Sequence, residues 1–164
     1  MPELELTRTP GDRRVYTLDG VGTLRLEGPF SRAALAEADG ASWRFARTGF
    51  WRRSVLAVDG AGAPVGRFEP RGLRRGGTVR WLDRELALRP AGSWRERYAL
   101  ADRDREIAVL DGKGWGRRPV KVIVDDPDAV EPELLLFAAF VVRGLAADAQ
   151  GAAGAGASAA ATGG

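Results

Sequence analysis

Cysteine and histidine are both missing from this chain of 164 residues. With no thiol and no imidazole, disulfides, thiolate nucleophiles, Cys/His zinc sites and histidine acid–base catalysis are all excluded. Lysine is nearly missing as well: Lys113 and Lys121 are the only two, so the positive charge is carried by arginine. No apolar run is long enough for a bilayer. The longest, Leu134 to Val142, is nine residues between Glu133 and Arg143, whereas a helical span wants about 20. No N-terminal stretch has the basic-then-apolar form of a secretory leader, so the expected location is the cytoplasm, at most peripheral at a membrane. The few serines (Ser31, Ser42, Ser54, Ser93 and Ser158) have no histidine to activate them, and no Gly-x-Ser-x-Gly elbow is present. No pair of carboxylates sits in a context that suggests a glycosidase cleft. The expectation is a non-catalytic, monomeric protein with no cofactor and no metal.

What is present is arginine, unevenly spread. The chain carries 25 basic and 22 acidic residues, for a net charge of +3. Residues 41–90 hold eleven arginines against four acids, and residues 125–148 hold six acids against one arginine. A basic middle and an acidic end suggest an anionic partner for the middle. The plainer explanation is GC-rich coding, which also enriches alanine and glycine.

Before residue 130 the hydrophobic period is two. Trp43 and Phe45 alternate with Arg44 and Ala46, Tyr98 and Leu100 with Arg97 and Ala99, and Val120, Val122 and Val124 with Lys121 and Ile123. Strands with one buried face read this way. Turn residues separate them at Asp59-Gly60-Ala61-Gly62, at Asp83-Arg84 and at Asp102-Arg103-Asp104-Arg105. Eleven strands are predicted, at 3–7, 14–18, 22–27, 42–47, 50–58, 64–69, 77–82, 85–89, 93–101, 106–111 and 118–124. A short helix is predicted from Ser31 to Ala38, where Ser31 can cap a run of Ala and Leu.

A second helix is predicted over 132–149. Pro132 suits the first helical position, and the acids before it and Arg143 towards its end agree with the macrodipole. From Leu134 to Val142 it has no polar residue on any face, and such a helix is enclosed by protein or by lipid. Gly144 marks either a close approach of this helix to a wall or a C-cap that ends it early. Residues 151–164 hold only Gly, Ala, Ser and Thr and are expected to form a disordered tail, leaving 1–150 as one domain. A sheet this large manages its edges best by closing. The fold class is therefore mainly β (α+β): a closed antiparallel barrel of about 11–12 strands around a central hydrophobic C-terminal helix.

Two features, the hairpin rhythm Tyr98-x-Leu100-x-Asp102…Ile107-Ala-Val-Leu110 and the ending Leu134-Leu-Leu-Phe-Ala-Ala-Phe-Val-Val-Arg-Gly-Leu-Ala-Ala-Asp148, resemble the tubby C-terminal-like superfamily. That group includes tubby, the phospholipid scramblases, the plant LURP-one-related proteins and small bacterial relatives. The resemblance covers most of residues 14–149. It implies a barrel of about a dozen strands around a hydrophobic helix, with a leaning towards anionic lipid headgroups or membrane association. No stretch matches the tubby phosphoinositide site, and there is no scramblase-like cysteine cluster or calcium segment.

The anion-binding candidates are arginines near turns: Arg52 and Arg53, Arg71 with Arg74 and Arg75, and Arg117 with Arg118. Arg71-Gly72-Leu73-Arg74-Arg75-Gly76-Gly77 stands out, because backbone N–H groups of a glycine-rich turn and guanidinium forks both hold phosphate. Lys113-Gly114-Trp115-Gly116 lacks the spacing of a nucleotide phosphate loop and reads as a hairpin turn with Trp115 over a barrel end. Trp51 reads as a membrane-surface anchor or as core. Asp125-Asp126-Pro127-Asp128 reads as acids leading into a helix rather than a metal site. The function expected is a binding module for an anionic phospholipid headgroup or a protein partner. A nucleic-acid-binding protein, with Trp between arginines to stack bases, is the alternative, as is an interaction protein with no small ligand.

Overall fold

The computed structural model describes residues 3–28, 32–49, 53–72, 75–93, 96–112 and 120–160, with backbone only at 120 and 150–160. The chain runs β1 (Glu3–Arg8), β2 (Val15–Leu18), β3 (Gly22–Leu26), β4 (Ala33–Ala38), β5 (Ala41–Thr48) and β6 (Ser54–Asp59). It continues with β7 (Pro64–Pro70), β8 (Gly77–Trp81), β9 (Arg84–Pro90), β10 (Arg97–Asp102), β11 (Arg105–Asp111) and β12 (Val120–Val124). A 3-10 turn at Pro127–Ala129 leads into α1 (Pro132–Ala160). Each strand pairs antiparallel with its sequence neighbours, and β1 pairs with β12, so the sheet closes as an up-and-down barrel of twelve strands.

All eleven predicted strands are present, and the twelfth replaces a predicted helix. Residues 33–38 form β4, hydrogen-bonded to β3 and β5. Alanine favours a helix, but Ala34, Ala36 and Ala38 point inward and are buried while Leu35 and Glu37 point out. The tertiary reason is closure. An antiparallel meander of eleven strands would bring its first and last strands together parallel, and two strands flanking a helix would keep unpaired backbone. The turn between β8 and β9 is Leu82-Asp83, one residue earlier than predicted, with Leu82 at φ 53° and its side chain exposed.

The interior is built by pairing large side chains with small ones. Across the wall the register sets Ala34 beside Phe45, Phe45 beside Ala57, Ala57 beside Gly66 and Gly66 beside Trp81. A Cβ on Gly66 would lie 2.3 Å from Trp81 Cε3, so the indole occupies the space of the missing side chain. Phe45 meets Trp81 edge-on at 6.5 Å between ring centroids. Phe137 of α1 closes on both rings, at 5.2 and 5.3 Å.

The helix threads the barrel. Every residue from Leu134 to Val142 is at most 4% exposed, which accounts for the missing polar face. It lies against β3, β4 and β5 on one side and β10 and β11 on the other. Small residues permit that approach: a Cβ on Gly22 would meet Leu136 Cδ1 at 3.0 Å, and one on Gly112 would meet Val142 Cγ1 at 3.2 Å. The helix does not stop at 149 but runs to Ala160, through what was expected as the start of a disordered tail. Alanine supplies the propensity to continue. Gly144 is no C-cap; what approaches it is the Arg47 guanidinium, with Cζ 3.5 Å from a virtual Cβ.

Polar contacts fasten both ends of the buried segment. At the entry, Arg84 donates to Glu131 Oε2 at 2.8 Å, to Asp102 Oδ2 at 3.1 Å and to the Ala129 carbonyl. Burial pulls this guanidinium's pKa down, but the two carboxylates outweigh it and the net shift is upward. Past the core, Arg47 and Arg53 converge on Asp148.

Candidate anion-binding site

In an up-and-down barrel, alternate connections open at opposite rims. The connections β2–β3, β4–β5, β6–β7, β8–β9, β10–β11 and the entry to α1 share one rim. Each carries or follows an aspartate: Asp19, Asp39, Asp59, Asp83, Asp104 and Asp126. Their local role is turn formation. Asp59 accepts from the Ala61 and Ala63 amides at 2.9 Å, and Asp126 accepts from Asp128 N at 3.1 Å while pairing with Arg105 at 2.9 Å. The opposite rim holds exposed Arg13, Arg14, Arg32, Arg53, Arg71 and Arg75 in its connections. The barrel is thus polar along its axis.

Within the basic rim the structure brings Arg71 and Arg75 together with Arg89, which the sequence reading did not single out. They line a groove of about 520 Å³ with Gly77, Ala87 and Pro90. The local chain geometry requires glycine. Gly76 sits at φ 88°, a Cβ there would be 2.1 Å from the Leu88 carbonyl oxygen, and one on Gly77 would be 2.1 Å from that of Glu69. The Arg71 amide donates to the Gly76 carbonyl at 3.2 Å, closing the connection from β7 to β8. The Arg75 guanidinium lies over the ring of buried Tyr98, 5.4 Å from its centroid. This cation–π contact helps to fix the head.

Two of the three, Arg71 and Arg89, contrast with the ion-paired arginines of the wall. Elsewhere on the wall Arg25 pairs with Asp12, Arg44 with Glu27, Arg67 with Glu69, Arg80 with Glu85 and Arg105 with Asp126. Arg71 and Arg89 have no ion pair among the described residues, and no acid is among the described residues lining the groove. Arg89 was legible in principle. The alternation Leu86, Leu88 turns it outward at the end of β9, and the meander places that end beside the β7–β8 connection.

The remaining candidates divide. Arg53 is on the same rim but faces Asp148, not the groove. Arg52, Arg74, Arg117 and Arg118 lie outside the described residues, as do Trp51 and Trp115. Of the serines, Ser54 is buried and donates to Glu69 Oε2 at 3.3 Å. Among the described residues no group of acids is arranged to hold a metal ion, and no helix is long and apolar enough to cross a membrane. Comparison with protein-family models, with curated proteins and with solved structures finds no match.

Proposed function

We propose that the protein is a non-catalytic binding module of the tubby-like kind, which holds a phosphate-bearing anionic group in the groove of Arg71, Arg75 and Arg89. The observation that carries this reading is a concave site with three guanidinium groups and no acid among its described lining residues. Its volume of about 520 Å³ falls in the range of small-ligand sites, roughly 300–1,000 Å³. Guanidinium forks bind phosphate oxygens bidentately, and the glycine-rich turn beside them lets a headgroup approach the backbone. The architecture agrees with the sequence resemblance, since a barrel around a buried C-terminal helix is what that resemblance implies. A membrane-borne headgroup is the preferred source of the phosphate, because an end-on approach would bring the basic rim to an anionic surface and keep the acidic rim away.

The test is flotation with liposomes, neutral against phosphoinositide-containing, at low and physiological salt. Wild-type protein should float only with the anionic vesicles, and Arg71→Gln with Arg89→Gln should abolish flotation without lowering the melting temperature. Failure to float at low salt would overturn the headgroup reading. Oligonucleotide binding under the same conditions would shift it to nucleic acid.

A further inference from the structure

The basic rim holds a second cluster of cations, and its centre is filled by the chain itself. Asp148, less than two turns beyond Val142 on α1, accepts from Arg47 at 2.5 and 3.4 Å and pairs with Arg53 Nε at 3.3 Å. Arg47 and Asp148 are 19% and 24% exposed, so a recess holds them, whereas Arg53 at 58% covers it from solvent. Two further cations stand close. Arg143, one helical turn earlier, is half-buried, and Arg8 donates to Tyr16 Oη at 3.3 Å with its guanidinium 5.7 Å from that ring. Burial holds the Arg143 pKa below its ordinary value against an upward pull from Tyr16, with repulsion from Arg8 and Arg47 adding lesser downward effects. Two arginines meet one carboxylate.

We infer that Arg47 and Arg53 form a second anion site at this rim, with the Asp148 carboxylate as its tethered occupant, and that a phosphate oxyanion takes the same place by displacing it. The geometry is that of a ligand complex: one oxyanion receives a two-donor fork from one arginine and an ion pair from another. Phosphate carries more charge and more acceptor oxygens than a carboxylate, so it gains more from the surrounding cations. A fold-stabilising staple would need one arginine, and this carboxylate is met by two. Displacement costs the barrel little, because the segment from Leu134 to Val142 stays enclosed and Arg84 still fastens its start.

The inference rests on the reading of this rim as anion-binding, and the experiment separates the two sites. In a groove-disabled background, Arg71→Gln with Arg89→Gln, pyrophosphate affinity is measured by titration calorimetry with and without Asp148→Asn. Removing the tethered competitor should tighten binding about tenfold, the scale of one charge-assisted hydrogen bond, and adding Arg47→Gln should erase the gain. No gain, or a gain that survives Arg47→Gln, overturns the inference and leaves Asp148 as a staple. The groove reading is scored separately, by wild type against the groove-disabled protein. Vesicle flotation of the same variants tells the sources apart: a gain there too assigns the recess to a headgroup, and a gain with pyrophosphate alone assigns it to a soluble phosphate. If Asp148→Asn does not fold, wild-type ¹⁵N spectra decide. Excess pyrophosphate should move the Arg47 and Arg53 Nε–H resonances together with the Ala146 to Asp148 amides, and unmoved resonances overturn the inference.

Discussion

Replacing Phe137 by alanine tests the central feature of the fold. The ring is fully buried on a helix inside the barrel and lies within 5.2 Å of Phe45 and 5.3 Å of Trp81, centroid to centroid. A buried Phe→Ala change costs about 3–5 kcal/mol through lost transfer energy and the cavity left behind. Aromatic contacts at such separations add about 0.5–1.5 kcal/mol each beyond area burial. The closed wall cannot collapse inward, because its strands are hydrogen-bonded on both sides, so the loss belongs at the upper end, about 4–5 kcal/mol. Against a typical total of roughly 5–15 kcal/mol this is a large fraction. For a chain of this length it lowers the melting temperature by about 8–20 °C. Urea unfolding followed by far-ultraviolet circular dichroism measures it, with Leu35→Ala, 42% exposed on the outer wall, as the control expected to cost under about 1 kcal/mol. Phe137→Asp should not fold at all, because its charge would be buried without a partner. A loss for Phe137→Ala no larger than that for Leu35→Ala would refute the enclosed helix and the packing argument built on it.

Two further outcomes follow from single contacts. Gly66→Ala should destabilise by about 1–3 kcal/mol in the same urea assay, because its Cβ would strike the Trp81 ring and that indole is enclosed on every side; Gly60→Ala, with its nearest neighbour 3.6 Å from the added carbon, should be close to neutral. Hydrogen bonds from Arg44 hold the Glu27 carboxyl below its ordinary value of 4.5, burial acting the other way and the Arg44 charge adding a smaller downward pull. A depressed folded pKa means that the pair's contribution is fully present above about pH 4.5 and is lost as pH falls through the lowered value. Carbon-detected titration of Glu27 should show a midpoint below 4.5 that Arg44→Gln returns to the ordinary range.

Strand positions were legible wherever a large apolar residue alternated with a polar one, because burying one face of a pleated strand imposes that period on the chain. β4 was not, since its inward residues are Ala34, Ala36 and Ala38. Alanine marks neither face by size and favours a helix locally. Only the helix passing close inside explains why that part of the wall must be small. The candidate site was half legible. Arg71 and Arg75 were visible from the glycines around them, but Arg89 joins them across a strand register, and Arg47 meets Asp148 across 101 positions of sequence. Nothing local distinguishes Arg53, which is paired, from Arg71, which has no ion pair among the described residues.

By itself the sequence determined the class of fold, for two local reasons. Period-two strands need a common interior, and a segment apolar on all faces from Leu134 to Val142 needs an enclosure. It also excluded every chemistry that depends on thiol or imidazole. The tertiary structure decided the count of strands, since closure must let β1 and β12 meet antiparallel. It decided the sorting of the charges as well. An up-and-down order sends alternate connections to opposite ends, so most arginines of the connections gather at one rim and most of their aspartates at the other. Which of those arginines stay open to a ligand depends on whether a carboxylate happens to lie within reach in space, and that distance is a property of the closed barrel.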